Sequence, residues 1–204
     1  MSGSEPNTPA DFFVAIGASG PQGLDDISRL LGHLPPALQA VVLIVLHRPS
    51  DRISHLRDVL DRRSAIPIHV ASADQHFRHG NGYIGEPDAH LTLAASNFGE
   101  LVPGAHNLHR NRTIDLLFRS VAAYASGGFI GVVLSGSLDD GSRGLAAIHA
   151  AGGVTMVLTP HDAQQKGMPE NAIGYDGPID FIGAPEAIAN DIASRVRLVA
   201  TGRG

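Results

Sequence analysis

The sequence has no cysteine, which removes disulfide frameworks, thiolate nucleophiles and cysteine-ligated zinc together. It is also poor in charge. Only 17% of its residues are Asp, Glu, Lys or Arg, against about 25% in a typical soluble protein. Nor is there a basic excess: 15 Lys and Arg face 20 Asp and Glu, a net charge of −5, so no field draws the chain to nucleic acid or anionic lipid. No apolar run approaches the ~20 residues that cross a bilayer. The opening stretch 1–11 lacks the basic and apolar regions of a secretory signal. The expectation is a soluble cytoplasmic protein without membrane insertion, opened by a disordered lead over 1–11.

What is present is a core. The 204 residues are 43% apolar, with a mean hydropathy of +0.05, enough for one compact domain and against wholesale disorder. Short continuous apolar runs recur: Phe12–Ile16, Val41–Leu46 and Phe129–Leu134. Runs rich in β-branched residues without alternation predict strands buried on both faces, as in a parallel sheet. Between the first two, Leu24, Ile27, Leu30, Leu31 and Leu34 form a helical stripe that Pro35-Pro36 ends. A strand, a helix and a second apolar strand make a right-handed βαβ unit.

The rhythm continues with a helix marked by Ile53, Leu56, Val59 and Leu60, and a strand over Ile66–Val70. Gly80–Gly85 predicts a turn and strand with a hairpin partner at His90–Ala94, and 95–110 reads as polar and irregular. Thr113 is a suitable N-cap for a helix carrying Ile114, Leu117, Phe118, Val121 and Ala122. A helix over Gly144–Ala151, a strand over Val154–Leu158 and a helix over Pro185–Arg197 follow. The predicted fold is α/β: one doubly wound, mostly parallel sheet with helices on both faces and a hairpin at one edge.

Open parallel sheets bind ligands beyond the carboxyl ends of their strands. Three apolar strands deliver a polar residue there: Ser19 after the first, His47 ending the second, and Asp140 after the one ending at Leu134. These are the types a nucleophilic hydrolase needs, a hydroxyl to attack, an imidazole to take its proton and a carboxylate to orient the imidazole. Each also has an ordinary structural role open to it. Ser19 could cap the helix that follows, His47 could be a hydrogen-bonded strand end, and Asp139-Asp140-Gly141 could be a plain turn.

The segments Val14–Ser19, Leu46–Pro49 and Ser135–Gly141 resemble the CheB-type protein-glutamate methylesterases, in which they read roughly V-x-I-G-A-S-T-G-G, Q-H-M-P and T-G-M-G-x-D-G. Gly82-Tyr83-Ile84, Asp88–Leu91, Thr113–Val121 and Gly167–Ile173 extend the resemblance across about residues 12–190 in the family's order. The resemblance implies Ser19 as nucleophile, His47 as general base and acid, and Asp140, which directly precedes a glycine as the family's aspartate does, as orienting carboxylate. It further implies oxyanion-holding backbone N–H groups around Gly20 and Ser137, and no metal or organic cofactor. The implied reaction is hydrolysis of a glutamyl methyl ester on a chemoreceptor-like protein with release of methanol, joined in some members by glutamine deamidation. The expected catalytic domain covers 12–199. The family's chemotaxis enzyme usually carries a phosphoacceptor receiver domain ahead of it, which the lead over 1–11 is too short to be.

The surroundings depart from the pattern. T-G-G becomes Gly20-Pro21-Gln22-Gly23, where Pro21 has no N–H and Gln22 places bulk where glycine allows close approach. G-M-G becomes Gly136-Ser137-Leu138. A catalytically weakened binding or regulatory module of the same fold is therefore an alternative. Gly17, Gly20 and Gly23 loosely suggest a dinucleotide loop without matching G-x-G-x-x-G. His76-x-x-His79 and His106-x-x-His109 offer metal-ligand spacing without a clear third ligand.

Overall fold

The computed structural model describes residues 12–47, 55–85, 89–94, 98–103, 112–160, 166–175 and 177–202; the expected disordered lead and His106-x-x-His109 lie outside them. The first strand, β1 (Phe13–Ser19), feeds helix α1 (Gly20–His33) and strand β2 (Val41–His47), with Pro35-Pro36 just past the helix end. Then come α2 (Leu56–Asp61), β3 (Ile68–Val70), β4 (Asn81–Ile84), β5 (Ala89–Leu93) and β6 (Gly99–Pro103). The remainder is α3 (Thr113–Tyr124), β7 (Phe129–Val133), α4 (Ser142–Ala150), β8 (Val154–Leu158), α5 (Met168–Ile173), β9 (Phe181–Gly183) and α6 (Pro185–Ala200).

Seven strands form one sheet in the order β3-β4-β2-β1-β7-β8-β9, and every pair in it is parallel. Successive β1 side chains leave opposite faces of the pleat. Val14 and Ile16 pack with Ile27, Leu30 and Leu31 of α1 and Ile188 and Ile192 of α6. Phe13 and Ala15 pack with Ile114, Leu117 and Phe118 of α3 and Leu145 of α4. Both faces are sealed, so the run from Phe12 to Ile16 has no polar alternation. The sheet order turns back at β1, which lies between β2 and β7, and the carboxyl end of β1 is the switch point where such sheets place ligands.

Two expectations fail at the hairpin. The strand β4 does not pair with 89–93. It lies between β2 and β3 in the main sheet, while β5 pairs antiparallel with β6 in a separate two-stranded sheet. The supposedly irregular stretch 95–110 therefore contains a strand, Gly99–Pro103. The hairpin leans on α3, where the Leu93 N–H donates to Ser120 Oγ at 2.9 Å, and Leu91 and Leu93 enter the same core as Phe118. Burial against a helix, rather than pairing with β4, satisfies its apolar side. A helix over 168–173 and the short strand β9 are additional to the elements expected.

Ile16 is fully buried beneath α1. Ile16→Ala should lower the unfolding free energy by about 2–5 kcal/mol, read from urea unfolding. A loss below about 1 kcal/mol would contradict the packing described.

Candidate active site

The parallel register that builds the sheet also sets the site. It matches β1 and β2 residue for residue and ends with Ser19 opposite His47. Neighbouring strands run roughly 4.8 Å apart, and partners in a parallel register send their side chains to the same face. That face is the one α3 and α4 cover. Ser19 is also the N-cap residue of α1, with extended dihedrals, and its side chain makes no capping hydrogen bond. The hydroxyl is not spent on the helix, so the capping role open to Ser19 is not taken. Gly20 follows at φ +71° with open space where a side chain would stand, and turns the chain straight from strand into helix.

His47 meets Asp140 across 93 residues of chain. The Nε2 of His47 lies 2.5 Å from Asp140 Oδ2. The Asp140 side chain is 3% exposed and that of His47 21%, so the carboxylate is sealed while the imidazole reaches solvent. Asp139 is exposed, whereas Asp140 is the aspartate that meets the imidazole. Sequence alone pairs these residue types without ring atoms. The structure turns Nε2 to the carboxylate and leaves Nδ1 on the other side of the ring. No hydrogen bond joins Ser19 to His47 among the described residues, and such contacts commonly tighten only when substrate binds.

Asp140 holds more than the imidazole. Its Oδ2 also accepts the Ile114 N–H at 2.9 Å, and its Oδ1 accepts the Asp115 N–H at 2.9 Å. The N-cap position of α3 is Arg112, without a side-chain cap, and Thr113 is the first helical residue. The expected Thr113 cap is therefore not formed, because a carboxylate 25 residues away serves the orphan N–H groups instead. The exchange is reciprocal. Asp115 Oδ1 accepts N–H groups from Gly141 at 3.0 Å and Gly144 at 2.7 Å, capping α4. Burial pushes the Asp115 carboxyl above its ordinary range and the Asp140 charge adds to the push, against the Gly144 and Gly141 bonds that favour its ionised form.

Thr113 has a different place. Its Oγ1 lies 3.3 Å from Nδ1 and 3.2 Å from Nε2 of His47. An oxygen in the ring plane that near both nitrogens would collide with the carbon between them, so the hydroxyl sits over the ring face. Residue spacing does not single out Thr113 or Asp115 as site residues. Both stand in the Thr113–Val121 stretch quoted for its family resemblance, and an acid beside an apolar helical stripe was the available signal.

The loop after β7 is clamped to the end of β1. The Ser19 N–H donates to the Ser135 carbonyl at 2.8 Å, and the Met168 N–H to the Gly136 carbonyl at 2.8 Å. A Cβ at Gly136 would stand 2.7 Å from Ser19 Cβ and 2.2 Å from Met168 Sδ, so only glycine fits there. Gly167–Pro169 thus acts as a prop behind the loop, which leaves Ser137 exposed. The Gly20–Gly23 segment is the first turn of α1. Pro21 costs little there because first-turn N–H groups have no helical partner. Gln22 points outward and reaches Asp26 Oδ1 at 3.3 Å. The close approach falls to Gly23, where a Cβ would meet the Ser135 carbonyl and Ala18 Cβ at 2.8 Å each. The bulk of Gln22 therefore does not disturb the site.

Gly17 lies inside β1 rather than in the turn that a phosphate loop requires. The His76 ring packs edge-on against Phe98 at 5.3 Å. No group of three or more His, Cys, Asp or Glu residues is placed to hold a metal ion among the described residues. Among the described residues, too, no helix is long and apolar enough to cross a membrane.

Comparison with known proteins follows the same geometry. A family model described as CheB methylesterase matches residues 14–192. The chain is 33% identical over 185 residues to the protein-glutamate methylesterase/protein-glutamine glutaminase of Yersinia pestis bv. Antiqua (strain Antiqua), covering 89% of this chain and 52% of that protein. To the protein of the same name from the group 3 operon of Cereibacter sphaeroides it is 32% identical over 181 residues, 84% of this chain and 48% of the relative. The chain thus spans about half the length of the curated relatives it matches. The crystal structure of the Thermotoga maritima CheB methylesterase catalytic domain shares the fold, with a TM-score of 0.80 at 24% identity, covering 90% of this chain and 97% of that one.

Two predictions follow from the paired caps. Asp140→Ala should lower the unfolding free energy by about 1–2 kcal/mol through loss of the α3 cap, whereas Ser19→Ala should change it by no more than about 0.5 kcal/mol. Equal losses in urea unfolding would contradict this. The second concerns pH. The folded chain holds the Asp115 proton at a higher pH than the unfolded chain, so its stability contribution declines as pH rises from 3.8 through the raised value. Asp115→Asn cannot ionise. The stability of wild type relative to that variant should therefore fall on going from about pH 4 upward, and a flat difference would contradict the assignment.

Proposed function

The chain belongs to the CheB methylesterase family, and from that premise we propose that it is a protein-glutamate methylesterase module using Ser19, His47 and Asp140. Its substrate is a glutamyl methyl ester on a chemoreceptor-like protein, met in the cytoplasm. The observation that carries this reading is the sealed Asp140 carboxylate on His47 Nε2, with Ser19 as the register partner of that same histidine. The curated relatives bear the name of this activity.

In this mechanism Nδ1 of His47 takes the Ser19 proton as Oγ attacks the ester carbonyl carbon. The carbonyl oxygen becomes an oxyanion, held by backbone N–H groups at Gly20 and Ser137. Asp140 stabilises the imidazolium that has formed. The tetrahedral intermediate collapses, the imidazolium gives its proton to the departing methoxide, and methanol leaves a glutamyl-serine ester. Water then attacks that ester with His47 again as base, releasing the glutamate carboxylate and restoring the serine. A glutamine side chain would pass through the same steps with ammonia leaving. No redox change occurs and no co-reactant beyond water is consumed.

The test is methanol release from a methyl-esterified receptor fragment. Ser19→Ala should reduce turnover by about 10⁴-fold or more. Equal release from wild type and Ser19→Ala would remove Ser19 from the mechanism. No release from either folded protein would overturn the esterase reading in favour of a binding module.

A further inference from the structure

Leu138 stands in the loop between Ser137 and Asp139 with φ +75°. Among the described residues only Asp74 is another non-glycine at positive φ. Aspartate visits that region with some ease because its short side chain bonds locally, whereas leucine brings its Cβ against the following carbonyl. Strain at a residue of this kind is normally repaid by burial. Here it is not: Leu138 is 60% exposed, the largest value among the exposed large apolar residues described. In the family pattern that this loop resembles, the position is glycine, which would adopt the conformation freely.

The backbone around Leu138 is held from behind. Its carbonyl accepts Asn171 Nδ2 at 2.6 Å, and α5, which carries Asn171, begins with the Met168 N–H on the Gly136 carbonyl. The loop therefore keeps its shape through polar contacts to main-chain atoms, none of which needs the leucine side chain. That side chain adopts a strained backbone conformation and stands in water, next in sequence to Ser137 and two residues before Asp140. A strained, exposed apolar side chain in the loop that carries Ser137 is the kind of outlier from which function is argued.

We infer that Leu138 is a specificity-determining residue that packs against an apolar side chain flanking the esterified glutamate of the substrate protein. The inference rests on the esterase reading above. It also gives that reading a narrower substrate, because the apolar contact lies outside the atoms that react.

The test compares two methyl-esterified receptor fragments, one with its apolar residues beside the modified glutamate and one with those residues changed to alanine. The full chain is used as wild type, Leu138→Gly and Leu138→Asn, since both substitutes accept positive φ. Wild type should show a kcat/KM about tenfold lower on the alanine fragment, the size expected for losing one buried aliphatic contact. Both variants should treat the two fragments within about twofold of each other, with thermal midpoints no lower than wild type for Leu138→Gly. Variants that keep the wild-type preference, or a wild type that has none, would overturn the inference alone. Folded variants inactive on both fragments would assign Leu138 to loop geometry and overturn it too. A wild type that cleaves neither fragment would overturn the esterase reading, and this inference with it.

Discussion

A single buried carboxylate organises the functional end of this molecule. Asp140 accepts two N–H groups from the first turn of α3 and meets the imidazole of His47. An ionised carboxylate taken out of water is costly unless its lone pairs find donors, and here three donors converge on two oxygens. The same arrangement places negative charge at the positive end of the α3 dipole. Asp115 answers from α3 with bonds to the start of α4. Neither helix start carries a side-chain cap of its own. The start of α3 is capped by Asp140, from the loop just ahead of α4, and the start of α4 by Asp115 of α3, so both helix starts and His47 are tied together by one set of contacts.

The sheet supplies the rest of the geometry without special devices. A parallel register brings β1 and β2 to a common end, where Ser19 and His47 face the same side. The return loop from β7 is tied to that end by the bond from Ser19 N–H to the Ser135 carbonyl, and glycine at 136 allows the loop to lie against the serine. Behind this edge the strands are buried on both faces of the sheet. Chemistry at the carboxyl ends of strands is thus supported by the most completely packed part of the molecule.

Much of this was legible in the sequence, and the exceptions share a cause. Continuous apolar runs marked β1, β2 and β7 because strands covered on both faces need no polar alternation. Ser19, His47 and Asp140 were recognisable as arrivals at one edge, and the aspartate beside Gly141 is the one that meets the imidazole. The hairpin was misplaced because β4 and the 89–93 strand are neighbours in sequence, while β4 finds its partners in β2 and β3 through long-range contacts. Local pattern does not encode such pairing. Thr113 looked like a cap for the same reason, since the carboxylate that replaces it arrives from the far side of a strand. Ring orientation at His47, and the hydroxyl over its face, lie below what residue spacing can express. The strain at Leu138 was hidden as well, because sequence showed only that a glycine of the family pattern had become leucine.

Asp140 meets His47 through Nε2, and the proposed mechanism depends on that contact leaving Nδ1 free to serve Ser19. Nitrogen-15 NMR of histidine-labelled protein reads this directly, because the two ring nitrogens differ in shift according to which carries the proton. The expected result is a His47 proton on Nε2, strongly downfield and lost in Asp140→Ala. A proton residing on Nδ1, or a signal indifferent to that substitution, would contradict it.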